Sequence, residues 1–392
     1  MKMKTDFATI VLGCGGIGSA AVYWLARRAG ADVLGIEQFK LFHHNGGSQD
    51  HSRIIRLAYH QEKYAKLTPY TYEAWATVAE ESGVNPVTLT GGVQIAYVNS
   101  PYRKFVDAYA TTMKSVGIPF EQLSHAEFGY RFPQFRPDRE VFALYQPRTG
   151  IVDPNKGNAA HIALARGYGA TILDQCPVRK VTPDGDGVLV ETAQGTFHGR
   201  KLIIAAGAWT NHLLAAFPVQ LPFTVTKEQV TYYATPHLKE FSIGRFPVFQ
   251  WKDERNIYGF PVYGEVATKA AIDATGPVVT PATRTFEPVA EREAELDTFL
   301  TRYIPHFVGP KLYTKTCLYE MPPDRDFILD HLPEQPNVFV FIGAGHAYKF
   351  ASLLGKIFSE LVLDGQTPHD ITPFTLNRPG ITDPNYSVNL RI

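Results

Sequence analysis

Three glycines near the N-terminus, Gly13, Gly15 and Gly18, form the pattern Gly-x-Gly-x-x-Gly, which suits the binding of a nucleotide pyrophosphate. The first glycine allows a tight turn, the second lets the backbone approach the phosphates, and the third lets a helix pack closely on a strand. Glu37 lies about 20 residues beyond Gly18, where a carboxylate can accept hydrogen bonds from ribose hydroxyls and would repel a 2′-phosphate. The pattern predicts a dinucleotide site, but it does not distinguish FAD from NAD.

The segments around these glycines have the order of a βαβ unit. Phe7–Leu12 is apolar without alternation, as expected of a parallel strand that is buried on both faces. An alanine-rich helix is predicted over Ala20–Ala29, and a second apolar strand over Asp32–Ile36 ends at Glu37. The crossover between the two strands should be right-handed. This arrangement places the glycines and the acid at the carboxyl end of one sheet.

Two later segments are predicted to join the same sheet. Lys201–Gly207 and Val338–Ile342 are buried strands that run into glycine-containing turns. After the second strand, apolar residues keep helical spacing from about Phe350 to Leu363, and Gly365 ends that helix. A Rossmann-like domain therefore contains both ends of the chain.

The intervening segments are rich in aromatic residues, prolines and short alternating runs such as Gly92–Tyr97 and Val230–Tyr233. We interpret them as a second, discontinuous domain built on a mainly antiparallel sheet. The predicted fold class is α/β (α+β), with a Rossmann-like dinucleotide-binding domain and a substrate domain. The predicted boundaries are 1–89, 146–221 and 320–392 for the first domain, and 90–145 and 222–319 for the second.

The composition argues against some classes of partner. The 38 basic residues balance 38 acidic ones, which argues against nucleic acid or an anionic membrane as a partner. Three cysteines with no C-x-x-C pair favour neither a disulfide framework nor a metal site, and Cys14 and Cys176 are expected only to pack. No apolar segment reaches the roughly 20 residues that span a bilayer. The start of the chain is not a signal peptide, and its last residues are not Ser-Lys-Leu, so we expect a cytoplasmic monomer or small homo-oligomer.

Four further stretches carry residues that can do chemistry. They are Asn45–Arg56, which ends in Arg-Ile-Ile-Arg; Ile257–Pro261, with Lys269 beyond it; Cys317–Asp330; and Gly343–Phe350. In this order they resemble the family of monomeric sarcosine oxidase and N-methyltryptophan oxidase, with pipecolate and fructosyl-amino-acid oxidases as relatives. The resemblance extends from the first strand to about Pro379. It implies a Rossmann-like domain that binds FAD, and the oxidation of a secondary amine or amino acid to an imine, with O₂ reduced to hydrogen peroxide.

The resemblance also implies roles for individual residues. Cys317 resembles the cysteine that carries the flavin through a thioether to its 8α carbon, which requires a thiolate near the flavin; the alternative is a small buried hydrophobe. Arg56 and Lys349 resemble a clamp on the substrate carboxylate, and the alternative is a surface ion pair. Lys349 also precedes a helix whose N-terminus can stabilise negative charge on the flavin.

Lys269 resembles the lysine that promotes reaction with oxygen, and the alternative is a solvated lysine in a turn. Arg53 would act on the flavin from the other side, and Tyr258 and Trp209 would line the ring or the substrate pocket. The residues expected to contact the cofactor are Gly13, Gly15, Gly16, Ile17, Gly18, Glu37, Gln38, Ser48, Arg53, Val178, Ala206, Gly207, Trp209, Cys317, Gly343, Gly345, His346 and Lys349.

Two positions depart from the sarcosine-specific pattern. Gln49 and Asp273 stand where those enzymes carry histidines in the substrate pocket, which predicts a substrate bulkier than sarcosine. The alternative functions are an FAD-dependent dehydrogenase or hydroxylase with another acceptor, an NAD-dependent dehydrogenase, and a nucleotide-binding protein without catalytic activity.

Overall fold

The structure is a computed structural model, and it describes residues 4–388 of the 392. Residues Met1–Met3 and Asn389–Ile392, on which the two targeting predictions partly depend, lie outside the described residues. No helix within residues 4–388 is long and apolar enough to cross a bilayer.

The strands are β1 (Asp6–Leu12), β2 (Val33–Ile36), β3 (Arg53–Ile55), β4 (Val87–Leu89), β5 (Gly92–Tyr97), β6 (Glu121–Leu123), β7 (Val141–Gln146), β8 (Gly150–Val152), β9 (Thr171–Leu173), β10 (Val178–Asp184), β11 (Gly187–Thr192), β12 (Gly195–Ile204), β13 (Thr224–Tyr233), β14 (Val248–Trp251), β15 (Ile257–Phe260), β16 (Thr268–Ile272), β17 (Lys311–Met321), β18 (Ile328–Leu332) and β19 (Gln335–Ile342). The α-helices are α1 (Gly16–Ala29), α2 (Glu62–Ala65), α3 (Thr68–Ser82), α4 (Arg103–Ser115), α5 (His125–Arg131), α6 (Pro154–Gly167), α7 (Thr210–Leu213), α8 (Ala290–Tyr303), α9 (Ala351–Asp364) and α10 (Pro379–Thr382).

The first sheet has the order β10-β11-β12-β1-β2-β9, and β19 pairs with the C-terminal part of β12. Strands β19, β12, β1, β2 and β9 are parallel, as the apolar runs predicted. Helices α1, α6 and α9 pack together beside this sheet. A Cβ atom on Gly355 of α9 would lie 2.4 Å from the backbone of Ala20 in α1, so the two helices approach closely because Gly355 has no side chain.

The second sheet has the order β17-β13-β16-β15-β14-β5-β7-β6, and all its pairs are antiparallel except β14 with β5. One face carries residues that lie opposite one another across the strands, including Tyr232, Lys269 and Phe260. The predicted fold class is confirmed. The domain boundaries stay a prediction; β7 ends at Gln146 and β17 at Met321, so cuts after these two residues would keep both strands whole.

A third, small sheet has the order β3-β8-β4. Its strand β3 pairs with β8 so that Arg53 lies opposite Val152. This pairing fixes the backbone of the Arg-Ile-Ile-Arg segment, and with it the positions of Arg53 and Arg56.

Candidate active site

A cavity of about 760 Å³ lies between the carboxyl ends of the parallel strands and one face of the second sheet. Leu12, Ile36 and Ala205 line it from the first sheet, and Tyr258 and Lys269 line it from the second. Ligands of open α/β sheets bind at the carboxyl ends of the strands. The cavity is therefore where this topology predicts a ligand.

The glycine loop forms one end of the cavity. Gly13 has a φ of 89°, and a Cβ atom there would lie 2.6 Å from the carbonyl oxygen of Ala205. A Cβ atom on Gly18 would lie 1.7 Å from the carbonyl oxygen of Gly13, so both positions exclude a side chain. Helix α1 begins next to the cavity with Gly15 as its N-cap and no side-chain cap, which leaves backbone N–H groups for an anion.

Glu37 is buried at the end of β2, beside the glycine loop. Its carboxylate accepts hydrogen bonds from the backbone N–H groups of Cys14 at 2.9 Å and Phe39 at 3.0 Å. These two bonds fix the carboxylate and leave lone pairs for ribose hydroxyls. Loop, helix end and acid together fit a dinucleotide. Cys14, predicted only to pack, belongs to the core and also lines the cavity.

Most other residues predicted at the cofactor also line this cavity. They are Gly16, Ile17, Gln38, Ser48, Val178, Ala206, Gly207, Trp209, Gly343, Gly345 and His346. Of the predicted contacts within residues 4–388, Gly18 and Cys317 are not on the cavity surface; Gly18 instead packs α1 against the loop.

Arg56 and Lys349 lie close together in the cavity wall. Their charged groups are 4.6 Å and 5.6 Å from the ring centre of Tyr59, and the residues are 2% and 7% exposed. The Nε atom of Arg56 has no hydrogen-bond partner among the described residues, and Lys349 donates to the carbonyl of His346 at 2.7 Å. Burial and the neighbouring Arg56 charge lower the pKa of Lys349 well below its usual value. Such a site favours an anionic ligand.

Lys269 enters the cavity wall from β16 and is 3% exposed. Its ammonium donates to Asp50 Oδ2 at 2.7 Å and to Ser52 Oγ at 2.8 Å, and it lies 4.8 Å from the ring centre of Phe260. Burial lowers the pKa of Lys269 to about 8, although Asp50 opposes that shift. The predicted alternative of a solvated lysine in a turn is wrong, because a strand buries this side chain.

Arg53 and Tyr258 lie near Lys269. Arg53 donates to the carbonyls of Ser52 at 2.9 Å and Gly47 at 3.0 Å, which tie its guanidinium to the loop. Tyr258 on β15 packs edge-on against Phe260 with ring centres 5.9 Å apart. Both residues line the cavity.

Cys317 is a free, buried cysteine on β17, opposite Glu228. The next three residues, Leu318–Glu320, line the cavity, which places the cysteine just behind its wall. Burial raises the pKa of Cys317 to about 11, and the charge of Arg53 opposes that shift. The neutral thiol is therefore the favoured form near neutral pH, and attachment to a flavin would require its deprotonation.

The two departures from the family pattern occupy different places. Asp273 lines the cavity, and its carboxylate accepts hydrogen bonds from Arg325 at 2.9 Å and Asn256 at 3.0 Å. Gln49 does not line the cavity, because its amide donates to the carbonyl of Thr316 on β17 at 2.7 Å. Of the two positions, Asp273 therefore lines the cavity and Gln49 does not, and the bulkier substrate inferred from them stays a prediction.

The sequence did not single out Asp50 or Glu320. Asp50 is buried in the loop before β3, and Glu320 lines the cavity two strand residues beyond Leu318. Burial raises the pKa of Glu320 to about 7, although the backbone N–H of Ala208 opposes that shift. Asp50 lies within Asn45–Arg56 and Glu320 within Cys317–Asp330, but no pattern of neighbouring residues predicts that either carboxylate is buried.

Comparisons with known proteins agree with this geometry. The profile of the FAD-dependent oxidoreductase family matches residues 8–361. Monomeric sarcosine oxidase of Streptomyces avermitilis is 34% identical over 96% of this chain and 98% of its own, and N-methyl-L-tryptophan oxidase of Escherichia coli is 32% identical over 96% and 100%. The solved open form of NikD, an unusual amino acid oxidase essential for nikkomycin biosynthesis, has a TM-score of 0.84 at 26% identity over 95% of this chain and 98% of that one. The chain therefore belongs to the FAD-dependent oxidoreductases, in the group that contains monomeric sarcosine oxidases and N-methyl-L-tryptophan oxidases.

Proposed function

We propose that this flavin-dependent amine oxidase acts on a secondary amino acid, N-alkylated or cyclic, oxidising its C–N bond to an imine while O₂ is reduced to H₂O₂. The observation that carries the proposal is the pair of buried cations, Arg56 and Lys349, in the wall of the cavity that contains the glycine loop. The relatives named for sarcosine and N-methyl-L-tryptophan act on N-methyl amino acids, which supports the same substrate class.

The two cations suit a carboxylate on the substrate. A buried positive charge is costly, and a second one beside it repels the first. The charge of Asp273 favours both cations, but its carboxylate pairs directly with Arg325, so it offsets the cost only in part. A substrate carboxylate relieves both costs, and the planar guanidinium of Arg56 can bind it through two hydrogen bonds. This arrangement would orient the substrate with its carboxylate at Arg56 and Lys349.

The residues that would hold FAD are those of the glycine loop, Glu37, and the segments Ala206–Trp209 and Gly343–Lys349 on the cavity surface. When bound, FAD supplies the two-electron acceptor for the amine and passes the electrons to O₂. The chain's part is to bind the substrate, keep water away from it and stabilise charge as it develops. Tyr258 and Phe260 contribute an aromatic wall for this purpose.

Lys269 is proposed to serve the oxygen step. Its ammonium is held in a buried wall, where a fixed positive charge stabilises negative charge developing on oxygen more strongly than it would in water. Arg53, tied to two backbone carbonyls, adds a second fixed positive charge nearby. Substrate oxidation requires the neutral amine, so kcat/KM should rise as the pH increases toward the pKa of the substrate.

Asp273 is proposed to set the amine end of the pocket. Its carboxylate is neutralised by Arg325, so it offers a hydrogen-bond acceptor without a free negative charge. The family resemblance places a histidine there in sarcosine-specific enzymes, and an aspartate is smaller. The difference supports a substrate bulkier than sarcosine.

We further propose that the flavin is attached to Cys317. The supporting observation is the place of this thiol directly behind the cavity wall, with the charge of Arg53 opposing the rise in its pKa. Acid precipitation of the parent protein should leave the flavin absorbance in the pellet. Cys317→Ser should release it to the supernatant, whereas Cys176→Ser, which alters another buried free cysteine, should not. Pellet-bound flavin in Cys317→Ser would refute this attachment.

The function is tested by oxygen uptake and peroxide release with N-methyl and cyclic amino acids, from sarcosine to larger members. Uptake should exceed that with the corresponding primary amino acids, and the best substrate should be larger than sarcosine. Flavin reduction by these compounds without oxygen uptake would show that another acceptor is used. No reduction by any secondary amino acid would contradict the proposal.

A further inference from the structure

Asp50 is a buried carboxylate in an unfavourable backbone conformation. Its φ is 84°, in the left-handed region that favours glycine, and the residue is 2% exposed. Strained backbone and a buried charge each cost free energy, and such costs persist where surrounding contacts fix the residue. The contacts of Asp50 therefore indicate what the residue does.

Four groups surround the carboxylate. Oδ2 accepts from Lys269 at 2.7 Å, Oδ1 accepts from Lys315 at 2.9 Å, and the hydroxyl of Tyr232 lies 2.8 Å from both oxygens. Arg53 lies 4.0 Å from Oδ2. One anion thus faces three cations contributed by three separate elements: β16, β17 and the start of β3.

The surroundings of Lys269 would favour its neutral form without Asp50. The side chain is almost fully buried, and Arg53 and Lys315 are like charges whose fields reach it. The other polar groups facing it are Ser52, which accepts two of its hydrogen bonds, and Tyr232, while Cys317 is near enough for its own pKa to respond to Lys269. Of all these groups, the Asp50 carboxylate carries the compensating negative charge.

We propose that Asp50 is a positioning residue that keeps the Lys269 ammonium charged and aimed along the cavity wall. The proposal rests on the role of Lys269 proposed above. Burial alone would raise the pKa of Asp50, but the charge of Lys269 holds it below its usual value, so the carboxylate is ionised throughout the working range of pH. The pKa of Lys269 is lowered to about 8, so it lies only a little above neutral pH, and a further decrease would deprotonate the side chain.

The backbone offers two clean variants. Asparagine and glycine both adopt left-handed φ values readily, so Asp50→Asn and Asp50→Gly remove the charge without adding backbone strain. Asp50→Gly also removes the side chain, which separates the effect of charge from that of hydrogen bonding. Asp330→Asn is the matched control, because Asp330 binds the backbone N–H of Leu376 and is not on the cavity surface.

The readout is the visible absorbance of the bound flavin between pH 6 and 9.5, which reports a charge beside the ring and does not depend on turnover. The parent should show a transition near pH 8 that is absent from Lys269→Met. Both Asp50 variants should move the transition down by about 1–3 pH units, as the loss of an adjacent opposite charge requires. Asp330→Asn should leave it in place.

Chloride gives a second readout in the same proteins. Without Asp50, Lys269, Lys315 and Arg53 would share no carboxylate, so chloride should change the flavin spectrum of both Asp50 variants more than that of the parent, in which Arg56 and Lys349 are the cations open to an anion. A transition that stays near pH 8 in both variants overturns the proposal. A parent without any transition that depends on Lys269 overturns it as well, by removing its premise. If the parent shows the transition near pH 8 but oxidises no secondary amino acid, the proposed function is contradicted and the role of Asp50 is not.

Discussion

Replacing Arg56 by glutamine should weaken carboxylate recognition with no large loss of stability. A hydrogen bond to a charged group contributes about 1.5–3 kcal/mol, so carboxylate substrates and inhibitors should lose about 10- to 150-fold in kcat/KM or affinity. The substitution removes the stacking of the guanidinium on Tyr59 and Tyr109, which destabilises the folded protein by about 1–2 kcal/mol. It also removes a buried cation with an unpaired Nε, and this relieves an unfavourable contribution of about 1–3 kcal/mol. The two effects oppose each other, so the net change in the free energy of unfolding should lie between a loss of about 1 and a gain of about 2 kcal/mol.

The assay compares an N-methyl or cyclic amino acid with its amide in the parent and in Arg56→Gln. The acid should lose 10-fold or more in kcat/KM, at least about the 1.4 kcal/mol of a tenfold change, while the amide loses far less. Arg103→Gln is the control, because Arg103 stacks on Phe142 at 3.6 Å and pairs with Asp107 away from the cavity. Equal losses for acid and amide would refute the reasoning, as would a parent that uses the amide as well as the acid.

Three further outcomes follow from the same structure. Lys269→Met should slow the oxidative half-reaction by about 10²–10³-fold in stopped-flow experiments, and an equal loss in the reductive half-reaction would contradict its role with oxygen. Glu320→Gln should remove part of the pH dependence of stability. The pKa of Glu320 in the folded protein, about 7, lies above the unfolded value, so the parent should lose up to about 3 kcal/mol of stability as the pH rises from about 5 to 8. Urea denaturation at both pH values will detect this loss in the parent and its absence in the variant. Gly355→Ala should lower the free energy of unfolding by about 1–3 kcal/mol, because its Cβ atom would overlap Ala20; an unchanged melting temperature would contradict the close packing of α1 and α9.

The sequence predicts those parts of the fold that depend on local patterns. The glycine loop is one example, since Gly13 and Gly18 exclude side chains for reasons of turn geometry and packing that their spacing already implies. The helix that ends at Gly365 is another, and Gly365 indeed has a left-handed φ of 73°. In both cases the residues that decide the structure are neighbours along the chain.

Contacts between distant segments could not be predicted in this way. Asp50 and Lys269 are joined by the register of β16 in the second sheet and the course of the loop before β3, which no local pattern specifies. The same holds for Gln49, which binds Thr316 and so lies outside the cavity that the family pattern had suggested. Cys317 could be located by resemblance, but its raised pKa depends on burial by residues from elsewhere in the chain.

The composition of the cavity wall has a consequence for the order of events during synthesis. The wall begins with Leu12 and is completed by Lys349, so about nine-tenths of the chain must leave the ribosome before the site can close. The glycine loop and α1 emerge early, but the strand that carries Cys317 and the turn that carries Lys349 emerge late. Enclosure of the flavin is therefore possible only late in synthesis, and a chain that ends before Lys349 has the nucleotide loop but no enclosed site.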